Sequence, residues 1–352
     1  MKYLIIGAGG TGGCIGAYMT VAGKDVTMIA RGAHLAAMQE KGLSMETTKR
    51  GNYSVFPVKA YDMENYMENC SKWESSSENS NSAPDVIFVC VKGYSLAETV
   101  PFIRRVAKPE TVVIPILNIY GTGARLQEEL PELLVTDGCI YIAAQIKAPG
   151  CLWQNGNIFR VVYGLRDLRE AMETAAERAA RLSVRDGDDH TSIPVSLSKD
   201  GLTYGEILEK VKRDLEESGI EAVLSPNIRR DALQKFSYVS PAAACGQYYN
   251  AMAGDMQKPG EIRDTFVALI GEISDLAEGM GIPFEEDMVK VNLDILDNLT
   301  PEASTSMQRD VAQGKASEMD GLIFEVVRMG EQCHVKVPTY EKIAAALRAQ
   351  GY

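Results

Sequence analysis

Gly7, Gly9 and Gly12 are spaced as G-x-G-x-x-G inside Gly7-Ala8-Gly9-Gly10-Thr11-Gly12-Gly13. An apolar run at residues 2–6 precedes them and a helix pattern follows. In strand–turn–helix context this spacing predicts a dinucleotide site. Gly7 is expected to make the tight turn, Gly9 to let a pyrophosphate approach the backbone, and Gly12 to let helix and strand pack closely. The helix start at Gly10, Thr11 and Gly12 offers backbone N–H groups and a partial positive charge to the phosphates.

A second apolar run, residues 25–30, ends on Arg31. A carboxylate there would take a ribose 2′-hydroxyl and repel a 2′-phosphate, whereas an arginine can hold the phosphate with two parallel hydrogen bonds. The residue type therefore predicts NADP(H). A glycine-rich turn beside a solvated arginine is the alternative, and the strands on both sides weigh against it.

The elements that must carry these residues are legible as periodicities. Residues 86–91 and 112–117 are continuous apolar runs of strand length, as in parallel strands buried on both faces. They end on Lys92 and Asn118, and side chains at the carboxyl ends of such strands face the ligand crevice. A solvated strand-end lysine is the competing reading for Lys92. Residues 34–41 read as a short helix stopped by Gly42, and residues 43–47 and 53–61 as two strands. Residues 62–83 are polar and Ser/Asn-rich and are expected to form a mobile surface insertion. From Val135 the pattern becomes strands at 139–146 and 158–163, with Pro149-Gly150 and Asn155-Gly156 as turn signals; this predicts an antiparallel extension of the sheet. A helix at 167–183, a polar loop at 184–202, a helix at 204–218 and a last strand at 219–224 follow.

Pro226-Asn227 marks the expected domain boundary. Beyond it the pattern is helical, at 228–239, 261–278, 284–299, 306–313, 317–331 and 339–349. The expected architecture is an α/β Rossmann-type NADP-binding domain over residues 1–225, with insertions near 62–83 and 166–203. An all-α domain for substrate and catalysis follows over residues 226–352.

Composition narrows the function. The 352 residues are 45% hydrophobic and 24% charged, ordinary for a globular protein. No apolar run is long enough to cross a bilayer, and the first strand begins at the N-terminus, leaving no room for a signal peptide. Seven scattered cysteines without C-x-x-C suit free thiols in the cytoplasm. Three histidines far apart in sequence, His34, His190 and His334, make a metal site a poor expectation. A net charge of −12 disfavours nucleic acid and acidic membranes as partners. An anionic cofactor then needs local cations, which brings Arg31, Lys92 and Lys235 forward.

With these residues in place, the chain resembles the ketopantoate reductase (2-dehydropantoate 2-reductase) family along nearly its whole length. The likeness rests on the glycine motif, Ala30-Arg31-Gly32, Val91-Lys92, Leu117-Asn118 and Leu233-Gln234-Lys235-Phe236. Its most specific part is Ser306-Met307-Gln308-Arg309-Asp310 followed by Ser317-Glu318-Met319-Asp320, which matches S-M-x-x-D and T/S-E-I/M-D stretches of the family. The resemblance implies NADPH-dependent reduction of a 2-oxo acid, with ketopantoate and pantothenate biosynthesis as the default. It implies Lys235 as the catalytic proton donor and Glu318 as the carboxylate that positions it and the substrate. It implies Ser306 as a hydrogen bonder to the substrate carboxylate, and Lys92 and Asn118 as residues beside the nicotinamide and substrate. The chemistry agrees, since a lysine aimed at a forming alkoxide stabilises it and can protonate it. Lys235 and Glu318 would equally suit a structural ion pair between two helices. A homodimer is a further expectation, because helical domains of this kind often pair.

Departures from the family pattern fall around the substrate. Ile119 replaces a glycine after Asn118, Val239 and Ala303 stand where asparagines are usual, and Leu233 stands where tryptophan is usual. Losing such hydrogen-bonding partners costs discrimination for a hydroxylated substrate. A relative acting on another oxo acid, or on an imine as in opine-type dehydrogenases, therefore stays open beside ketopantoate reduction. A non-catalytic NADP-sensing module is the reading from a different class.

Overall fold

By its contacts the chain forms two compact units, one of Met1–Leu117 with Gly121–Ile228, the other of Arg229–Tyr352 with Asn118–Tyr120. The computed structural model describes residues 1–74, 83–185 and 201–352. Residues 75–82 of the first expected insertion, and residues 186–200 with His190, lie outside the described residues.

The first unit begins with β1 (Lys2–Ile6), α1 (Gly10–Val21), β2 (Asp25–Ile29), α2 (Gly32–Lys41), β3 (Leu43–Thr47), β4 (Gly51–Val55) and β5 (Lys59–Tyr61). It continues with α3 (Met63–Glu74), β6 (Val86–Val89), α4 (Leu96–Val106), β7 (Val112–Pro115), α5 (Thr122–Glu129) and β8 (Leu134–Val135). The long hairpin β9 (Asp137–Ala148) and β10 (Cys151–Gly164), then α6 (Ala175–Arg185), α7 (Tyr204–Glu217) and β11 (Glu221–Leu224), complete it.

Among the described residues, six strands form a parallel sheet in the order β5-β2-β1-β6-β7-β8. Its centre is apolar on both faces: Tyr3 and Ile5 belong to one buried cluster, Leu4 and Ile6 to another. That division is the two-residue period of a strand. The chain runs outward from β1 to β2 on one side and resumes at β6 on the other, so the order reverses between β1 and β6. A ligand crevice opens at the carboxyl ends of such a pair.

The hairpin does not extend this sheet, contrary to expectation. It belongs to a second one, β11-β10-β3-β4 with β9 paired to β10. The β9–β10 pairing is antiparallel as expected, but β10 pairs with β3 and β11 in parallel, which no local signal announces. Pro149-Gly150 does turn the hairpin. Asn155-Gly156 does not turn the chain; it lies inside β10, where the register slips between Asn155 and Phe159. Gly156, at φ +76°, accommodates this irregularity, as glycines in bulged strands do.

Residues 53–61 are likewise two strands, not one. β4 pairs with β3 in the second sheet and β5 with β2 in the first. The break falls at Pro57, which has no N–H to continue a ladder. Residues 63–74, expected as irregular, are helical. Asp62 Oδ1 accepts the Asn65 N–H at 2.8 Å and so caps α3, and Tyr66 and Cys70, four apart, are buried. The stretch expected as one helix at 167–183 is a 3₁₀ turn, Leu168–Met172, followed by α6.

The second unit is helical: α8 (Ile228–Tyr248), α9 (Ala253–Gln257), α10 (Glu261–Gly279), α11 (Met288–Asp297), α12 (Ser306–Ala312), α13 (Glu325–Cys333) and α14 (Pro338–Ala349). A π-helical turn, Asp320–Phe324, leads into α13. Phe266, Leu269, Ile270, Ile273, Leu276 and Ala277 of α10 give this unit a fully buried stripe at helical spacing. Helix α8 was expected to end at 239, but it continues through Pro241. Proline deprives the Ser237 carbonyl of its donor four residues on. Asn292 of α11 supplies the replacement, with Nδ2 donating to Ser237 O at 3.0 Å and to Ser237 Oγ at 2.9 Å.

Candidate active site

The glycine-rich turn follows β1 at the point where the strand order reverses. Gly7 has φ +96°, and a Cβ on it would stand 2.9 Å from the Cys90 carbonyl oxygen. The N–H groups of Gly7 and Ala8 are both taken by Ile29 O, at 3.1 and 2.9 Å, which ties the turn to the end of β2. A Cβ on Gly12 would collide with the Gly7 carbonyl and come within 2.9 Å of Cys90 Cβ. Gly12 is therefore what lets α1 close on β1 and on the end of β6. Gly9 is different, since a Cβ there would meet nothing within 4 Å. Open space over Gly9, at the N-terminus of α1, fits a phosphate group approaching the backbone.

Gly10 carries a constraint that the motif alone does not reveal. A Cβ there would lie 2.7 Å from the Ala144 carbonyl oxygen, so β9 of the second sheet passes over the start of α1. Thr11, half-buried, follows in the first turn. Arg31 is exposed, directly after β2, and is the N-cap residue of α2. Among the described residues its guanidinium enters no salt bridge. These features fit a dinucleotide with a charged group near Arg31. Lys92 is half-buried, just past β6, and its carbonyl accepts the Ser95 N–H at 2.9 Å.

His34 supports the same turn and was passed over as one of three scattered histidines. Its Nε2 lies 3.0 Å from Ala8 O, and the Gly150 N–H donates to its Nδ1 at 3.0 Å. One partner only accepts and the other only donates, so the ring is neutral with its hydrogen on Nε2. Burial holds its pKa below the usual imidazole value, against the opposing effect of the Ala8 carbonyl. The signal available in sequence was its place three residues beyond Arg31.

In the second unit, Lys235 Nζ donates to Asn118 Oδ1 at 2.6 Å. Both side chains are half-buried. The sequence grouped Asn118 with the first domain; its contacts, with those of Ile119 and Tyr120, lie in the second unit. The Tyr120 and Phe236 rings sit 6.2 Å apart, so residues adjacent to both partners of the hydrogen bond also pack together. Glu318 is 95% buried, two residues before the π-helical turn. The Leu322 carbonyl of that turn accepts from Ser240 Oγ at 2.6 Å. Ser306 is half-buried at the start of α12, where Thr305 and Gln308 form a capping box. The structure thus joins Lys235 to Asn118 directly, places Ser306 and Glu318 in the same unit, and holds Gly7, Gly9, Gly10, Thr11, Gly12, Arg31 and Lys92 in the other. Of the departures, Leu233 is fully buried in the core and Val239 and Ala303 pack against it.

A glycine-rich turn at the switch point of a parallel sheet, followed by a helical unit with a hydrogen-bonded lysine, defines a two-domain dinucleotide-dependent oxidoreductase fold. The family model described as "Ketopantoate reductase PanE/ApbA" matches residues 3–167, and its C-terminal counterpart matches residues 227–351. The chain belongs to the ketopantoate reductase family and is an oxidoreductase. Family membership supports reduction of a 2-oxo acid to a 2-hydroxy acid with a nicotinamide cofactor.

Among curated relatives, an uncharacterized oxidoreductase of Bacillus subtilis is 24% identical over 99% of this chain and 98% of its own length. A 2-dehydropantoate 2-reductase of Mesorhizobium japonicum is 23% identical, covering 99% and 97%. The crystal structure of 2-dehydropantoate 2-reductase from Methylococcus capsulatus superposes with a TM-score of 0.76 at 20% identity, over 100% of this chain and 97% of the other. A ternary structure of D-mandelate dehydrogenase with NADH and anilino(oxo)acetate gives 0.73 at 16% identity, over 99% and 98%. No described helix is long and apolar enough to cross a membrane.

Proposed function

We propose that this protein reduces a 2-oxo acid to the 2-hydroxy acid with NADPH, with ketopantoate as the first substrate to test. The observation that carries the reading is the 2.6 Å hydrogen bond from Lys235 Nζ to Asn118 Oδ1. An ammonium has three N–H donors and no acceptor. Asn118 takes one of them, which orients the ammonium.

The cofactor, when bound, supplies a hydride to C2 of the oxo acid. The carbonyl electron pair then moves to oxygen, and Lys235 donates a proton to it and is reprotonated from water. Glu318 positions the lysine and the substrate, and Ser306 donates to the substrate carboxylate. Gly9, Gly10, Thr11 and Gly12 receive the pyrophosphate, Arg31 the 2′-phosphate, and Lys92 lies beside the nicotinamide. Initial rates with a panel of 2-oxo acids, using NADPH and NADH in parallel, test this. NADPH oxidation with stoichiometric hydroxy acid is expected; absence of turnover with every acid would leave only a nucleotide-binding module.

A second reading has its own support. Val239 and Ala303, both partly buried, lack the hydrogen-bonding side chains that a hydroxylated substrate such as ketopantoate would use. A less polar 2-oxo acid, or an imine derived from one, is the substrate on this reading. Running the panel with and without amines separates the two. Faster turnover of ketopantoate than of every other acid would remove the second.

A further inference from the structure

Ile119 departs from the family pattern, and Gly321 in the π-helical turn accounts for it. A Cβ on Gly321 would run into the Ile119 side chain, colliding with Cδ1 and lying 2.8 Å from Cγ1 and 3.0 Å from Cγ2. Ile119 is 94% buried within the core of the second unit. The bulk at 119 is thus matched by its absence at 321.

This matched pair lies beside the proposed chemistry on both sides. Ile119 follows Asn118, which accepts from Lys235. Gly321 lies three residues after Glu318, and the carbonyl of Leu322 is pinned by Ser240 Oγ, itself 2.6 Å from Tyr340 OH. The π-helical turn is therefore tied at Leu322 by Ser240 and covered at Gly321 by Ile119. Tyr120, packed near Phe236, fixes the other end of the three-residue segment.

We infer that Ile119, seated on Gly321, is a positioning residue for the proton donor: it sets Asn118, and through it the ammonium of Lys235, against the turn that follows Glu318. The inference rests on the reductase reading for its kinetic consequence, but the geometry it asserts is independent of turnover. Motion of Asn118 by about an ångström would take its oxygen out of range of Lys235. Misplacement on that scale costs roughly a hundredfold in rate.

A double-mutant cycle tests it. Gly321→Ala should lower kcat by roughly ten- to hundredfold and leave the Kd for NADPH unchanged. Ile119→Ala alone removes the seated side chain and should lower kcat on the same scale; added to Gly321→Ala it removes the collision, so the loss in the double variant should fall well short of the product of the two single losses. Gly271→Ala, where a Cβ meets nothing within 4 Å, is the control and should match the wild type. Crystal structures of the two single variants read the geometry directly, with the Lys235–Asn118 hydrogen bond broken in each. A Gly321→Ala protein that keeps this bond overturns the inference, and so does an Ile119→Ala protein with wild-type kcat or a double variant whose loss equals the product of the two single losses. If the wild type turns over no oxo acid, the reductase reading fails, and the crystal structures still decide whether Ile119 sets Asn118.

Discussion

Lys235 and Asn118, 117 residues apart in the chain, are joined by a 2.6 Å hydrogen bond between ammonium and amide oxygen. A lysine in the second turn of a long helix thereby meets a residue three positions beyond β7. As proton donor, Lys235 should be worth about 10²–10⁴-fold in rate. Lys235→Ala is expected to lower kcat by that order with little change in NADPH affinity. Asn118→Ala should lower kcat less, because the lysine keeps its charge and loses only the acceptor that orients it. Steady-state kinetics from pH 6 to 10 check both, and unchanged kcat in Lys235→Ala removes it from the chemistry.

Arg31 is exposed at the end of β2 and enters no salt bridge among the described residues. Its guanidinium can therefore be spent on a 2′-phosphate. Arg31→Asp should weaken NADPH by about one to two orders of magnitude, the scale of a charge-assisted pair of hydrogen bonds, and leave NADH nearly unaffected. Fluorescence titration with both nucleotides measures this; equal losses would place the 2′-phosphate elsewhere.

Gly9 and Gly12 separate binding from folding. Alanine at Gly9 meets open space, so thermal stability should fall by no more than about 1 kcal/mol, the scale of a changed N-cap, while nucleotide affinity drops sharply. Alanine at Gly12 collides with the Gly7 backbone, and should cost about 1–3 kcal/mol in stability. Thermal unfolding beside nucleotide titration distinguishes them, and a Gly9→Ala protein that binds NADPH normally refutes the phosphate position.

His34 gives a pH signature. Its folded pKa lies below the usual imidazole value, with burial the main cause. The unfolded chain therefore takes up the proton first as pH falls. The stability due to neutral His34 is complete above about pH 6.5 and is lost as pH drops through the lowered folded pKa. His34→Gln retains an N–H donor and an oxygen acceptor but cannot titrate. Its melting temperature should fall less than that of the wild type between pH 7.5 and 5.0. Parallel curves would mean that His34 does not contribute.

The glycine motif, the central strands, Arg31 and most helices were legible because each depends on near neighbours. Strand runs buried on both faces and a helix that needs a glycine are local matters. Other features needed partners distant in sequence. Pro57 marks a break, but only pairing shows that β4 and β5 enter different sheets. Asn155-Gly156 has turn chemistry, yet the extended pairing of β9 with β10 turns it into a bulge. Pro241 should stop a helix, and the amide of Asn292 lets α8 continue.

By itself, then, the sequence determined a dinucleotide-binding α/β half, a helical half and the residue types able to reduce an oxo acid. Those are set by short-range sterics and by the period of apolar side chains. Tertiary structure decided that Asn118–Tyr120 belong with the helices, that Ile119 is matched to Gly321, and that His34 braces the glycine turn. Each of these depends on which side chains fill the same space, and close packing between segments far apart in the chain leaves no mark in either segment alone.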